Sequence, residues 1–427
     1  MNRPTFLARA RALPLGLISV VALVAISALF ARDPLQDAAT FQPVVEVTFR
    51  RPMGYLLLAP VSNILDTLTL LSLRQHIALL VTIIICYAIW WWFLGRALLA
   101  AVPPGRRWLR EVARIGVGVV VVVGVYAVGM IMPRPMAGVD ATSDIVVIDF
   151  HAHTKFSHDG RPDWKPEDVR AWHHAAGFDV AYVTDHRTFE GARDAWANNP
   201  SPVGTSTVLL PAIEVVWRGE HVNVLDADRM YRGILTETLR DIDESALTLA
   251  SSLKSNEPVL IETFPGDLSK VVAASGPGTA GVRAIEIIDG APKGLGQTRR
   301  ERARILQLAD SANLALVAGS NHHGWGHTAA GWTLMFLPDW RAVGPELLSA
   351  GISRVLRGGG RKSTRVVERY VADTETGIAL PLTVPLVTWG MLRTLSGDER
   401  IVWLAWTAAI YLIWWFRRLG SRRTAES

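Results

Sequence analysis

A chain of 427 residues has room for two or three domains. Half of its residues are apolar and only 19% are charged, a lean charge content for a soluble protein. Its one cysteine, Cys86, excludes a disulfide framework. The net charge of +5 gathers on arginines beside the apolar runs, with no basic–aromatic stripe in the polar region, which favours anionic lipid headgroups and not nucleic acid as a partner.

The first apolar run, residues 13–30 ("LPLGLISVVALVAISALF"), carries no charge. With Arg3, Arg9 and Arg11 near its start it has the form of a membrane span or of a cleavable signal. Residues 55–73 follow with Leu57, Val61, Ile64, Leu65, Leu68 and Leu71 on one helical face. Asn63 and Asp66 would be costly at the bilayer centre, so this stretch is expected to lie in the interface. The runs 77–94 and 115–133 are again uncharged and approach the roughly 20 residues a span requires. Between them lie Arg96, Arg106, Arg107, Arg110 and Arg114, a loop expected on the cytoplasmic side. An N-terminal membrane block (1–133) of about three spans then puts the polar block (140–372) outside the cytoplasm, in a multi-pass protein of the cell (inner) membrane. The tail "RRLGSRR" argues against this sidedness if both later runs cross. A C-terminal block (376–417) holds those two runs, 378–392, which is interrupted by two prolines, and 401–416.

The polar block alternates strand-like and helical patterns. Strands are expected at 145–150, 179–185, 208–215, 258–263, 284–289 and 314–320, mostly continuous in apolar character as a sheet buried on both faces requires. Helices are expected at 165–178, 188–198, 239–253 and 298–313, while "GPGTAG" (276–281) and "RGGGRKS" (357–363) read as loops. The alternation predicts an α/β barrel or doubly wound sheet. Metal-binding side-chain types fall at the strand ends, where such folds keep their chemistry. His151 and His153 follow the first strand, Asp185 and His186 close the second, Glu214 ends the third with His221 just after, and Asn321, His322 and His323 follow the last. Residues two apart in an extended segment share a face, so His151 with His153, and Asn321 with His323, are able to address one ion.

In order, "DFHAHTKFSHDG", "GFDVAYVTDHRT", "LPAIEVVWRGEHVNVLD", "AIEIIDG" and "LVAGSNHHGWG" resemble the polymerase and histidinol phosphatase (PHP) superfamily over roughly 145–365. The resemblance implies a distorted (β/α)7 barrel, here flanked by transmembrane helices, binding two or three Zn, Mn or Fe ions. It implies phosphoesterase activity, or cleavage of a carboxylic ester or carbamate, on a small-molecule substrate. Carried onto this chain, the ligands are His151, His153, Asp159, His186, Glu214, His221 and His323, with His158 an extra neighbour of Asp159. Asn321 stands where the family usually has aspartate; an amide oxygen binds a hard ion more weakly. Phe264 stands where it usually has histidine, and Glu262 is two residues earlier as a stand-in. These two departures leave open a degenerate site serving a binding or sensory membrane protein.

Imidazole with carboxylate suits Zn, Mn and Fe better than Ca or Mg. Two ions about 3.5–4 Å apart across Glu214 would bring a water's pKa to roughly 7 and neutralise the charge of an in-line attack. Arg187 and His322 are the candidates for contacting the phosphoryl oxygens or protonating the leaving group, with Lys155 and His327 nearby. Trp325 is a candidate pocket wall.

Overall fold

In the computed structural model, residues 4–97, 103–201, 206–225, 233–252, 258–263, 266–275 and 282–426 are described. Phe264 and the 276–281 stretch lie outside them. The first strand of the polar block, β4 (Ile145–Ala152), is buried along nearly all its length, as its "IVVIDF" run requires. It pairs in parallel with β5 (Val180–Val183), which pairs in parallel with β6 (Val208–Pro211). β9 (Leu260–Thr263), β10 (Val282–Asp289) and β11 (Ala315–Gly319) form a second parallel set. The helices Pro166–Ala176, Glu190–Ala197, Glu244–Ser252 and Pro292–Ser311 fall on the expected segments. The first of these has proline at its first position, Asp168 accepting from the Lys165 amide, and left-handed Gly177 closing it.

Four features depart from the expected closed barrel. The run 208–215 divides, and β7 (Ile213–Trp217) turns back through a two-residue loop into β8 (Glu220–Val224). Both loop residues, Arg218 and Gly219, have positive φ, the conformation a tight hairpin demands. β12 (Gly331–Phe336) and β13 (Arg365–Arg369) add antiparallel strands beside β4, and β1 (Leu35–Asp37) joins β13 from the N-terminal segment. The result is two large sheets, in the orders β1-β13-β12-β4-β5-β6 and β11-β10-β9-β8-β7, and a separate antiparallel pair of β2 (Val47–Arg50) and β3 (Gly138–Ala141). The two larger sheets are joined by isolated bridges, Ala152 with His322 and His186 with Glu214, and by side-chain bonds from Asn223 to Phe150 O and between Ala318 N and Thr333. Alternate residues of both sheets, among them Ile148, Phe150, Tyr182, Ile261 and Val317, share one fully buried interior that helix Pro345–Gly359 plugs with Leu348, Ile352 and Leu356.

Among the described residues of the flanking blocks, two helices are long and apolar enough to cross a membrane, Leu73–Gly95 and Gly105–Ile131. The first run lies in helix Pro4–Leu29. The proline-interrupted run gives only the short helix Thr383–Thr394, and the last lies within helix Gly397–Glu426. The 55–73 stretch breaks at Leu58 into helices Met53–Leu57 and Ala59–Thr69. Leu57, Val61 and Ile64 are exposed while Asn63 and Asp66 are buried, so the polar face turns inward. Asp66 lies there between Arg134 and Arg369, each 2.5 Å from one of its oxygens, and accepts from Tyr55 and Thr328.

Candidate metal centre

The bridge that ties His186 to Glu214 brings the ends of β5 and β7 together, and the bridge from Ala152 to His322 does the same for β4 and the segment after β11. The side chains gathered there centre on Glu214, buried at 4% exposure. Its Oε2 is 2.9 Å from His151 Nε2, 3.3 Å from His153 Nε2 and 3.4 Å from His186 Nε2. Its Oε1 is 2.7 Å from His221 Nδ1. His221 reaches it because the hairpin sets His221 opposite Val216, one diagonal step from Glu214 on the same face.

A second carboxylate extends the cluster. Asp159 Oδ2 is 3.1 Å from His323 Nε2 and 3.6 Å from His186 Nε2, and His323 stacks on His153 with ring centroids 4.2 Å apart. Ser157 Oγ donates to Asp159 in the turn that presents it. A Cβ on Gly160 would come within 2.0 Å of Thr154 O, so the turn after Asp159 requires glycine. Five overlapping groups of three potential ligands result, and Glu214, Asp159, His151, His153 and His186 each belong to two of them. His158 joins through Asp159, though it is exposed.

Charge balance explains why so many polar groups tolerate burial. Burial would raise the Glu214 carboxyl, but the charge on His151 and hydrogen bonds from His151, His153 and His221 hold it well below its ordinary value. Burial likewise opposes protonation of His151, and the carboxylates of Glu214 and Glu286 override it and push that pKa well up. Burial followed by the neighbouring His323 brings His153 down to about 3, leaving a neutral imidazole with a lone pair to offer. Asp159 is lowered against its burial by hydrogen bonds from His323 and Ser157.

Two acids that sequence reasoning passed over complete the centre. Glu286, fully buried, puts Oε1 3.0 Å from His151 Nδ1, and Asp289 joins the same group. Burial pushes the Glu286 carboxyl up to about 7. A Cβ on Gly319 would come within 2.1 Å of Glu286 Oε1 and 2.6 Å of His151 Cβ, so glycine there lets this pair form. The available signal was two acids inside "AIEIID", a strand buried along most of its length, where an unpaired carboxylate is costly. Asp149 was also missed. It accepts from the amides of His151 and Ser320 and lies 2.6 Å from His173, fixing the opening and closing segments against each other. Replacing Glu286 by glutamine is expected to weaken metal affinity about 10–100-fold, the usual effect of losing a group that orients a ligating histidine; titration with a competing chelator measures it.

The remaining expected residues differ in placement. Asn321, with φ +45°, donates from Nδ2 to both oxygens of Asp289, which belongs to the His151 group, and its buried Oδ1 has no partner among the described residues. His322 turns into the packing: its ring stacks on Trp172 at 4.2 Å, Nδ1 accepts from Gly324 N, and Nε2 faces Gly326 O at 3.2 Å. Burial and the neighbouring His173 bring it down to about 3. This placement removes it from a proton-transfer role, because the backbone engages both ring nitrogens. Arg187 is exposed beside His186 with φ +62°, Lys155 is exposed over the Phe156 ring, and Trp325 is half-exposed near Arg161.

Glu262 is not among the ligand groups. It is 2% exposed, and its Oε1 has no partner among the described residues. Burial, then repulsion from Glu220 and Glu286, pushes its carboxyl up to about 8. The folded state therefore holds a proton that the unfolded chain loses near pH 4.5, and stability drains away as pH rises toward 8. Glu262→Gln is expected to stabilise the metal-free protein by on the order of 2–4 kcal/mol near pH 8 and by little at pH 5, read from denaturant unfolding at the two pH values.

The donor set fits divalent ions. Neutral imidazole and shared carboxylates are the mixture that Zn, Mn and Fe prefer, and the buried Oε2 of Glu286 is left without a partner among the described residues. No family model and no curated protein matches the chain. Among solved structures it is similar to PsfC from Pseudomonas syringae, at 14% identity and a TM-score of 0.38 over 57% of this chain and 97% of that one. It is similar to the lesion-specific endonuclease PfuEndoQ from Pyrococcus furiosus, at 14% identity and a TM-score of 0.34 over 51% and 56%. It is also similar to an amidohydrolase from Chromobacterium violaceum, at 16% identity and a TM-score of 0.29 over 46% and 95%.

Proposed function

We propose that this chain is a membrane-anchored, metal-dependent hydrolase of the PHP type, acting on phosphate esters. The observation that carries the reading is the Glu214 carboxylate, buried and within reach of four imidazoles, those of His151, His153, His186 and His221. Divalent ions of the Zn, Mn or Fe type, two or three in number, would supply Lewis acidity toward an ester oxygen and acidify a water. Glu214 would be shared between ions, with His151, His153, Asp159, His186, His221 and His323 completing their shells.

The chain's own groups do the rest. Glu286 would accept a hydrogen bond from Nδ1–H of His151, which leaves Nε2 to be offered to an ion. Asp149 holds the backbone of His151 and Ser320 in register, which keeps the first and last ligand segments together. Arg187, exposed beside His186, would bind the anionic oxygens of a phosphoryl group. The helices Leu73–Gly95 and Gly105–Ile131 would anchor the unit in the bilayer, with Arg96 and the arginines in the first turns of helix Pro104–Ile131 on the cytoplasmic side and the catalytic unit opposite.

The test is elemental analysis of the full chain purified in detergent, followed by an ester panel in the metal found. Stoichiometric Zn, Mn or Fe with hydrolysis of phosphomonoesters or diesters is the expected result. Hydrolysis confined to carboxylic esters or carbamates would reassign the substrate class. Absence of bound metal, with no hydrolysis after metal loading, would overturn the reading.

A further inference from the structure

The loop that carries His323 also borders a cavity of about 360 Å³ beneath the apolar helices. One end of this cavity is lined by Asn321 and His323, the other by Leu68, Tyr126, Gly129 and Met130. The polar end adjoins the candidate metal centre, since His323 Nε2 is 3.1 Å from Asp159. The apolar end belongs to the last turns of helix Pro104–Ile131, one of the two helices able to cross a membrane. Helix and loop are joined directly, for Gly326 N donates to Met130 O at 2.9 Å. The volume falls within the roughly 300–1,000 Å³ of small-molecule sites, which are mostly apolar with a few polar groups at one place.

A water-soluble phosphate ester has no use for such a wall. The geometry points to an amphiphilic substrate, a phosphate ester of a hydrocarbon chain resident in the bilayer. Its headgroup would lie at the ion cluster beside His323, and its chain would run along Met130, Tyr126 and Leu68 toward the lipid. The surrounding helix faces suit this path, since Val119, Val120 and Val123 are exposed on the same helix and a bilayer is the medium that would cover them. Tyr126 and Trp325 flank the cavity where interface and apolar core meet, the position aromatic side chains favour at membrane surfaces. Gly129 keeps the apolar end open: a Cβ there would only touch Leu65 and Thr69, at 3.5 and 4.0 Å, but a larger side chain would fill the space.

This inference rests on the hydrolase reading for the fate of the substrate but not for its binding, so the experiment reads occupancy. The full chain is reconstituted in phosphatidylcholine vesicles doped with a single-chain alkyl phosphate carrying a diazirine at the chain end, irradiated, and mapped by peptide mass spectrometry. Label is expected on Leu68, Tyr126 and Met130 as well as on lipid-facing residues such as Ile84 and Val120. Gly129→Phe is expected to lose the cavity label and retain the lipid-facing label. Excess unlabelled alkyl phosphate is expected to do the same to the unaltered chain, which removes any dependence on how the variant folds. Cavity residues that stay unlabelled, or label that survives competition, would overturn the inference. Competable cavity label in a chain that hydrolyses no ester would uphold the site and sink the hydrolase reading, whereas hydrolysis of soluble esters without cavity label would do the reverse.

Discussion

Glu214→Gln is expected to strip the protein of its bound metal and to lower ester hydrolysis by at least about 1,000-fold, equivalent to about 4 kcal/mol of barrier. The substitution keeps the shape of the side chain and removes its charge. The charge matters because both oxygens are in use, Oε2 facing His151, His153 and His186 and Oε1 facing His221. An amide turns one of those acceptors into a donor aimed at an imidazole nitrogen. It also removes the negative charge that would offset two cations in a buried site. Metal content by elemental analysis and turnover on a phosphate ester are the two readouts, and circular dichroism confirms that the fold is kept. A Glu214→Gln protein that retains stoichiometric metal and full turnover would show that the ions lie elsewhere.

Asp66→Asn is expected to destabilise the folded chain by about 3–5 kcal/mol, because it leaves two buried guanidiniums without their counter-charge. Arg134 comes from the end of the second membrane-length helix and Arg369 from the end of β13, so Asp66 joins the flanking helices to the sheet. Burial opposes its ionisation, yet Arg369 and then Arg134 hold the carboxyl below its ordinary value. The stabilisation is therefore present at neutral pH and is lost as pH falls through that lowered pKa. Thr328 donates to the same carboxylate, so the loop of Asn321 and His323 shares in the loss. Thermal unfolding in detergent at neutral pH reads the effect. The triple change Asp66→Leu, Arg134→Met, Arg369→Met is expected to recover much of it, since a well-packed apolar replacement of a whole buried ion group is often neutral. A single variant as stable as the parent would show the network to be dispensable.

The candidate centre was unevenly legible. His151, His153, His186 and His323 lie at or just past the C-terminal end of a strand whose apolar run announces it, so their convergence could be expected from the strand-end rule alone, whereas Glu214 joins them from the start of β7. His221 follows the third run closely enough to be a candidate, but its return to Glu214 is not visible in the sequence. The Arg-Gly turn that returns it to Glu214 lacks the Asn-Gly or Asp-Gly signature of a tight hairpin, so β8 is not expected from the sequence and β6 and β7 read as one strand. Glu286 escaped because its partner His151 is 135 residues away and nothing local marks the pairing. His322 shows the opposite error. Its neighbours in sequence are site residues, but its ring points the other way, onto Trp172 and Trp164.

The flanking helices followed the same division. The charge-free runs at 77–94 and 115–133 were enough to identify helices of membrane-crossing length, because length and apolarity are local quantities. The apolar spacing of the 55–73 stretch is legible, yet Leu65 and Leu71 are buried along with Asn63 and Asp66, and nothing in the stretch told that Asp66 would turn inward to two arginines from distant segments. Periodicity, strand-end chemistry and span length reside in a dozen consecutive residues, where side-chain direction is set by the backbone repeat. Sheet order, the open meeting of two sheets and the choice of which acid faces which histidine depend on contacts between residues far apart in the chain. Those contacts are settled by how whole elements pack and which buried charges find a partner.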